Sequence, residues 1–291
     1  MAIAGKSGSG KTTLLKCIYG LVDLQGGEIL FDNQKVLGPS WQLIPGNENM
    51  SLVSQDYYVL DNHTVIENIT DKLIGYTDAY KEKRVKALVN LLELGAIKNM
   101  RAKQLSSGQK QRVAIARALA IMPRLLLLDE PFSNLDHLLS MKLFAFVMRE
   151  AKRNNSAVIL VTHQGEEALK YAEYIAIVDA GKLVQFDTAK NVYYKPKNLK
   201  LAGLLGEYSI LHQQDFEKHI AKKKPKKLIV RPDKLQICSA AQAELQVTIE
   251  ACSFNGKCYE ILVSSLSGRT LLLYSSSELS IGKKGYCRIV I

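Results

Sequence analysis

Little in this sequence could build a membrane span or a disulfide framework. Its apolar runs, such as Leu125–Leu128 and Val158–Val161, fall far short of the ~20 residues a spanning helix needs. The cysteines number five (Cys17, Cys238, Cys252, Cys258 and Cys287), an odd count without a C-x-x-C pair. A disulfide scaffold is thereby excluded, and reduced thiols in a cytosolic protein are expected. The spacing of Cys252 and Cys258 does not suit a zinc knuckle. The opening Met1-Ala2-Ile3-Ala4-Gly5 turns glycine-rich too early for a secretory signal. Internal repeats are absent, as is low-complexity sequence outside one lysine cluster. What the chain does have is 47% hydrophobic and 23% charged residues over 291 positions, which suits a globular protein of one large or two medium domains.

The charge is lopsided. Lys and Arg total 39 against 28 Asp and Glu, a formal net charge of +11. This admits an acidic partner, whether nucleic acid, an anionic membrane surface or nucleotide phosphates, without choosing among them. Part of the excess is local, with six lysines within residues 218–227. A solvated basic linker is favoured there over a lipid or nucleic-acid site.

Up to about residue 205 the pattern alternates strand and helix. Leu125–Leu128, ending at Asp129, and Ala157–Val161, ending at Thr162-His163, are continuous apolar runs, as strands buried on both faces of a parallel sheet require. Between them Asp136–Arg153 sets Leu139, Leu143, Phe146 and Val147 at helical spacing, so an α/β fold follows. Tyr174–Val178 and Leu183–Phe186 predict a hairpin around Ala180-Gly181-Lys182. A helical insertion occupies about residues 57–122. In it Thr64-Val65-Ile66-Glu67 is a capping box, Ala79–Leu94 predicts a helix stopped by Gly95, and Gln109–Ile121 predicts another. Composition shifts after Gly206. The short β-rich runs Leu228–Val230, Leu245–Glu250, Cys258–Val263, Thr270–Tyr274 and Tyr286–Ile291 predict a small all-β, barrel-like domain over residues 206–291.

Gly5-Lys6-Ser7-Gly8-Ser9-Gly10-Lys11-Thr12 matches G-x-x-x-x-G-K-[ST] without a mismatch. Its glycines let backbone N–H groups turn toward phosphate oxygens, and the helix beginning near Lys11 adds its positive end. Lys11 is expected at the β- and γ-phosphates, the Thr12 hydroxyl on Mg2+, and Thr13 near the α-phosphate. Asp129 and Glu130 follow a buried strand at its carboxyl end, where open α/β sheets bind ligands. Asp129 would hold Mg2+ through water, and Glu130 would orient or deprotonate the attacking water.

Leu105-Ser106-Ser107-Gly108-Gln109-Lys110-Gln111-Arg112, running into Val113–Leu119, resembles the signature motif of ATP-binding cassette (ABC) ATPases. Gln55 resembles that family's Q-loop residue, Ser133-Asn134-Leu135-Asp136 its D-loop and His163 its switch histidine. The likeness covers residues 1 to about 200 and implies a P-loop NTPase fold with ATP and Mg2+ as cofactors. It further implies a head-to-tail homodimer in which Ser106, Ser107, Gly108 and Gln109 of one copy face the nucleotide held by the other. His163 would contact the γ-phosphate, Gln55 would sense the nucleotide and its metal, and Asp136 would lie by the nucleotide or cap a helix. Glu130, His163, Lys11 and Gln55 are thus the expected catalytic set, and Thr12, Gln55 and Asp129 the metal set.

Two departures stand out. Ser107 replaces the family's usual glycine, at a cost if a left-handed φ is needed there. Only Met1–Ala4 precede the loop, so no adenine-stacking residue can be assigned, and a misplaced start or a fragment is expected. Val59–Ile69 resembles the segment after the Q-loop in importer ATPases for ferric ion, polyamines, oxyanions and sugars. Val230-Arg231-Pro232-Asp233-Lys234-Leu235 looks like the opening of the TOBE domain these importers carry, although a folding or dimerisation accessory fits that region equally. Trp41 and Tyr57-Tyr58 read as packing or interface residues, with Tyr57 and Tyr58 lining the groove for a membrane subunit. The resemblance implies an importer subunit on the inner face of the cell membrane, with permease subunits and a solute-binding protein as partners and no nucleic acid. The alternatives are a soluble cassette protein acting on nucleic acid or ribosomes, and a nucleotide-binding module with impaired hydrolysis.

Overall fold

A computed structural model describes residues 1–221 and 225–290. Lys222, Lys223 and Lys224 of the lysine cluster lie outside the described residues. The chain divides into two compact units, Met1–Phe186 and Asp187–Ile291.

The first unit contains β1 (Ala2–Ala4), α1 (Lys11–Tyr19), the short ribbon β2 (Leu30–Phe31) and β3 (Gln34–Lys35), β4 (Met50–Val53), α2 (Val65–Thr70), α3 (Asp78–Leu91) and α4 (Ser107–Ala120). It continues through β5 (Leu125–Asp129), α5 (His137–Asn154), β6 (Ala157–Thr162), α6 (Gly165–Tyr171), β7 (Tyr174–Asp179) and β8 (Lys182–Thr188), whose last two residues already belong to the second unit. The main sheet has six strands in the order β4-β5-β6-β1-β7-β8. The first five run parallel, with Leu127 opposite both Leu52 and Ile159, and Ile3 opposite both Val161 and Ala176. Every residue of β5 is buried, the burial expected of its all-leucine run. Ile3, Leu15, Leu127, Val161 and Val178 share one core cluster, so α1 packs directly on the sheet.

Two helix boundaries differ from those the sequence suggests. Ser106 caps α4: its hydroxyl accepts from Gln109 N–H while its own N–H donates to Gln109 Oε1 at 2.9 Å. This capping box starts the helix at Ser107, ahead of Gln109. The third helix stops at Leu91, before Leu94, because Glu93 turns left-handed at φ 53°. Leu94 N–H then closes on Val89 C=O at 2.9 Å and its side chain is fully buried, so Gly95 is not the stop. The capping box at Thr64 and Glu67 forms as its sequence indicates.

One guanidinium ties the helices together. Arg84 on α3 donates to the C-terminal carbonyls Leu119 O (2.7 Å) and Ala120 O (3.1 Å) of α4, and to Glu150 of α5 at 2.5 Å. From the last turn of α4, the buried Arg117 donates to Asn68 O at 2.9 Å and reaches Asp71 at 3.2 Å.

The second unit contains α7 (Ala189–Tyr194), α8 (Leu199–Leu204), β9 (Ser209–His212), α9 (Lys218–Ala221), β10 (Lys227–Val230), β11 (Leu235–Cys238), β12 (Leu245–Phe254), β13 (Tyr259–Ser265), β14 (Thr270–Ser275) and β15 (Lys284–Ile289). An antiparallel five-stranded sheet, β11-β15-β12-β13-β14, accompanies the two-stranded ribbon β9-β10. A register shift between Ile249 and Ala251 bends β12. Its two edge strands, β11 and β14, approach each other, so the sheet curls as the barrel expectation requires, although no ladder joins them among the described residues. Leu245, Val247, Ile261, Val263, Leu271 and Leu273 fill its core.

The units part at residue 186, ahead of the break expected at 205, and Arg231 supplies a physical reason. Its side chain is 2% exposed and donates to Tyr193 O (2.9 Å), Ala202 O (3.0 Å), Gly206 O (2.9 Å) and Glu207 O (3.0 Å). It lies 4.1 Å from the centroid of the Tyr193 ring. These bonds fasten α7, α8 and the turn that follows to the second unit. Replacing the guanidinium leaves buried carbonyls without donors. Arg231→Met is expected to destabilise the protein by roughly 3 kcal/mol, read as a lower denaturant midpoint.

Candidate functional site

The Gly5–Thr12 loop follows β1 and leads into α1. Gly8 and Gly10 adopt φ of 77° and 96°, a region open to glycine at little cost. Gly5 is constrained by space: a Cβ there would stand 2.1 Å from Val178 O and 2.9 Å from Ser9 Oγ. Lys6, Ser7 and Gly8 are exposed, whereas Ser9 and Lys11 are buried. Lys11 Nζ reaches back to Lys6 O at 2.9 Å, curling the loop around its own ammonium group. Burial lowers the Lys11 pKa, while Glu130 and Asp129 pull it back up. This ammonium therefore lies within electrostatic reach of the two carboxylates that the sequence pairs with it.

Asp129 ends β5 and is 1% exposed. Burial raises its pKa above the ordinary carboxylate value, with Glu130 acting in the same sense and the Thr12 hydroxyl and Lys11 opposing. The Thr12 hydroxyl is near enough to this carboxylate to lower its pKa, yet Asp129 Oδ1 is buried without a hydrogen-bond partner. A hydroxyl and an unsatisfied carboxylate oxygen, side by side at the mouth of the phosphate loop, form a donor set that suits a hard divalent cation. Thr13 lies exposed one residue further along α1.

Glu130 comes next, with a left-handed backbone at φ 48°. A non-glycine residue held there costs about 1 kcal/mol, and such strain gathers at functional sites. Its N–H donates to Val161 O at 2.9 Å. Its Oε1 meets His163 Nδ1 at 2.8 Å, bringing together two residues far apart in sequence from the ends of the adjacent strands β5 and β6.

The remaining expected residues gather elsewhere on the unit. Gln55 lies exposed in the turn after β4, the strand that pairs with β5. Ser106, Ser107, Gly108 and Gln109 form the cap and first turn of α4. Ser107 is not left-handed, so serine in place of glycine carries no backbone penalty. A Cβ on Gly108 would lie 3.7 Å from Asn134 Cβ, and Asn134 Nδ2 donates to the Tyr57 hydroxyl at 3.1 Å. No hydrogen bond joins this turn to the Gly5–Thr12 loop among the described residues. Asp136 caps α5, its Oδ1 accepting from Leu139 N–H at 2.9 Å, and that bond lowers its pKa. Within one chain it acts as a helix cap.

Sequence reasoning missed two supports of the site. Gly181 N–H donates to Ser9 O at 3.1 Å, so the turn between β7 and β8 braces the phosphate loop. Gln111, fully buried on α4, donates to Pro131 O at 2.9 Å and Glu130 O at 3.4 Å. The available signal was one amide on the same helical stripe as Ala114, Ile115 and Ala118.

Residues 1–133 match the family described as ABC transporter. Among solved structures the chain resembles a dimeric, post-hydrolysis state of the ATP-binding cassette MJ0796 bound to ADP and Pi. The two are 28% identical, the match covers 65% of this chain and 84% of that one, and the TM-score is 0.56. With a phosphate loop, a buried acidic strand end and a histidine already placed on the strand order of a P-loop NTPase, the N-terminal unit is an ABC-type ATPase domain, a class of enzyme that hydrolyses ATP with Mg2+.

Proposed function

We propose that this chain is the ATP-hydrolysing subunit of an importer, working as a pair of cassettes against separate membrane subunits. The observation that carries hydrolysis is the 2.8 Å contact between His163 and Glu130 beside Asp129. In this arrangement Glu130 takes the proton of the attacking water and His163 aligns it while touching the γ-phosphate. Lys11 and the backbone of Gly5–Thr12 hold the phosphates, with Thr13 nearest the α-phosphate. Thr12 and Asp129, joined by Gln55, would hold Mg2+, which when bound offsets phosphate charge. Ser106, Ser107, Gly108 and Gln109 serve the nucleotide of a second copy, and the dimeric state of the solved neighbour supports that pairing. Asp136 contributes by capping α5.

The importer assignment is supported by the likeness of Val59–Ile69 to importer ATPases and by a separate antiparallel β unit where those proteins carry a TOBE domain. Among the described residues no helix is long and apolar enough to cross a membrane, so transport would need permease subunits, with a solute-binding protein delivering ferric ion, a polyamine or an oxyanion. The protein would then sit on the inner face of the cell membrane. A soluble cassette acting on nucleic acid or ribosomes is the second reading, favoured only by the +11 charge. Recovery of the native complex with membranes, as against nucleic acid, separates the two.

Purified protein is expected to release phosphate from Mg-ATP. Glu130→Gln should lower kcat by about a hundredfold or more while retaining nucleotide and an ATP-dependent dimer, seen by light scattering on a sizing column. A wild-type chain that binds ATP without releasing phosphate would remove the enzymatic part of the proposal.

A second expectation concerns pH. Because the Asp129 pKa is raised on folding, the native protein keeps this proton to higher pH than the unfolded chain does. Its contribution to stability therefore declines as pH rises from the ordinary carboxylate value through the raised one. Without nucleotide or Mg2+, Asp129→Asn should melt above wild type near about pH 7, the gap closing toward about pH 3 where both side chains are neutral. Thermal unfolding across that range checks the sign, and the same variant should lose Mg2+-dependent hydrolysis.

A further inference from the structure

Glu130 is held in its left-handed conformation by bonds on both sides of the residue. Its N–H is fixed by Val161 O at 2.9 Å. Its carbonyl accepts from Ser133 Oγ at 3.1 Å and from Gln111 Nε2 at 3.4 Å, and the same amide donates to Pro131 O at 2.9 Å. Ser133 is exposed, whereas Gln111 has no exposure at all. The choice of residue at 111 is informative. Gln111 Oε1 is buried without a partner, a loss that leucine at the same place would not incur. What glutamine adds over leucine is the donor aimed at the Glu130–Pro131 carbonyls. The amide orientation follows from the contacts, since reversing it would set Oε1 against two carbonyl oxygens.

Gln111 is also close to the capped end of its helix. It lies five positions beyond Ser106, about 7.5 Å along an α-helical rod, and a hydrogen-bonded helix transmits displacement over that length as a unit.

We propose that Gln111 is a positioning residue for Glu130. It holds the base in its left-handed backbone and couples it, within one chain, to the turn of α4 that faces the nucleotide of the second copy. The inference rests on hydrolysis by Glu130 in a paired cassette, as set out above. When that turn engages nucleotide, movement of α4 is passed through one amide to the loop that carries the base. Gln111 touches neither nucleotide nor water and acts only through the Glu130 and Pro131 backbone.

The test compares wild type, Gln111→Leu, Glu130→Gln and the double variant by phosphate release from Mg-ATP, with binding of a fluorescent ATP analogue measured on each. Gln111→Leu is expected to lower kcat at least tenfold, with KM and analogue affinity within twofold of wild type. In the Glu130→Gln background the same change should lower residual turnover by less than twofold, because the group it positions is already disabled. A merely structural role would instead reduce binding capacity along with kcat and multiply the losses in the double variant. Should Gln111→Leu not fold, Ser133→Ala removes an exposed donor to the same carbonyl and should lower kcat two- to fivefold with KM unchanged. A kcat within twofold of wild type in every folded single variant at these two positions, or multiplicative losses in the double variant, overturns the proposal. Absence of phosphate release by wild type would instead refute the ATPase function on which the proposal rests.

Discussion

The site depends on one desolvated carboxylate. Asp129 is carried to the end of a leucine-rich strand buried along its whole length, and burial raises its pKa. A strand of that composition could not present a charge in its middle. At its end the charge meets the Thr12 hydroxyl and the Lys11 ammonium on α1, which packs on the same sheet through Leu15. The helix, the glycine loop before it and the strand beneath therefore answer a single electrostatic demand: a buried negative charge needs positive and hydrogen-bonding groups close by.

Much of this was legible in the sequence because it is local. The phosphate loop is contiguous, its glycines mark the backbone reversals, and the leucine run states its own burial. The Glu130–His163 contact joins distant residues, yet it follows from two apolar strands that end in chemistry-bearing residues and lie side by side in a parallel sheet. What was not legible depends on side chains crossing between elements. Gln111 looks like one more polar residue of a helix until the loop beneath it is known. The stop of α3 at Glu93 rather than Gly95 is decided by the burial of Leu94, a tertiary effect that overrides glycine's local preference. Strands β9 and β11 are too short to show a period, and β11 takes its place by pairing with β15. The position of the break between units rests on Arg231, which in sequence is merely a basic residue ahead of a proline.

The two units stabilise themselves by different means. The first buries continuous apolar strands under helices and adds charged ties such as Arg84 with Glu150 at its helix ends. The second relies on alternating strands around an apolar centre and on a guanidinium ringed by backbone carbonyls. Each has its own core cluster.

The turn at Ala180-Gly181 has an evolutionary implication. Hairpin tips of this kind usually accept insertions, being solvent-facing and remote from any core. Here the tip amide rests on Ser9, and the strand leading to it fills the space that a Gly5 side chain would need. Lengthening this tip would disturb the nucleotide cradle, so length variation among related chains should be scarce at this hairpin and free to accumulate at others.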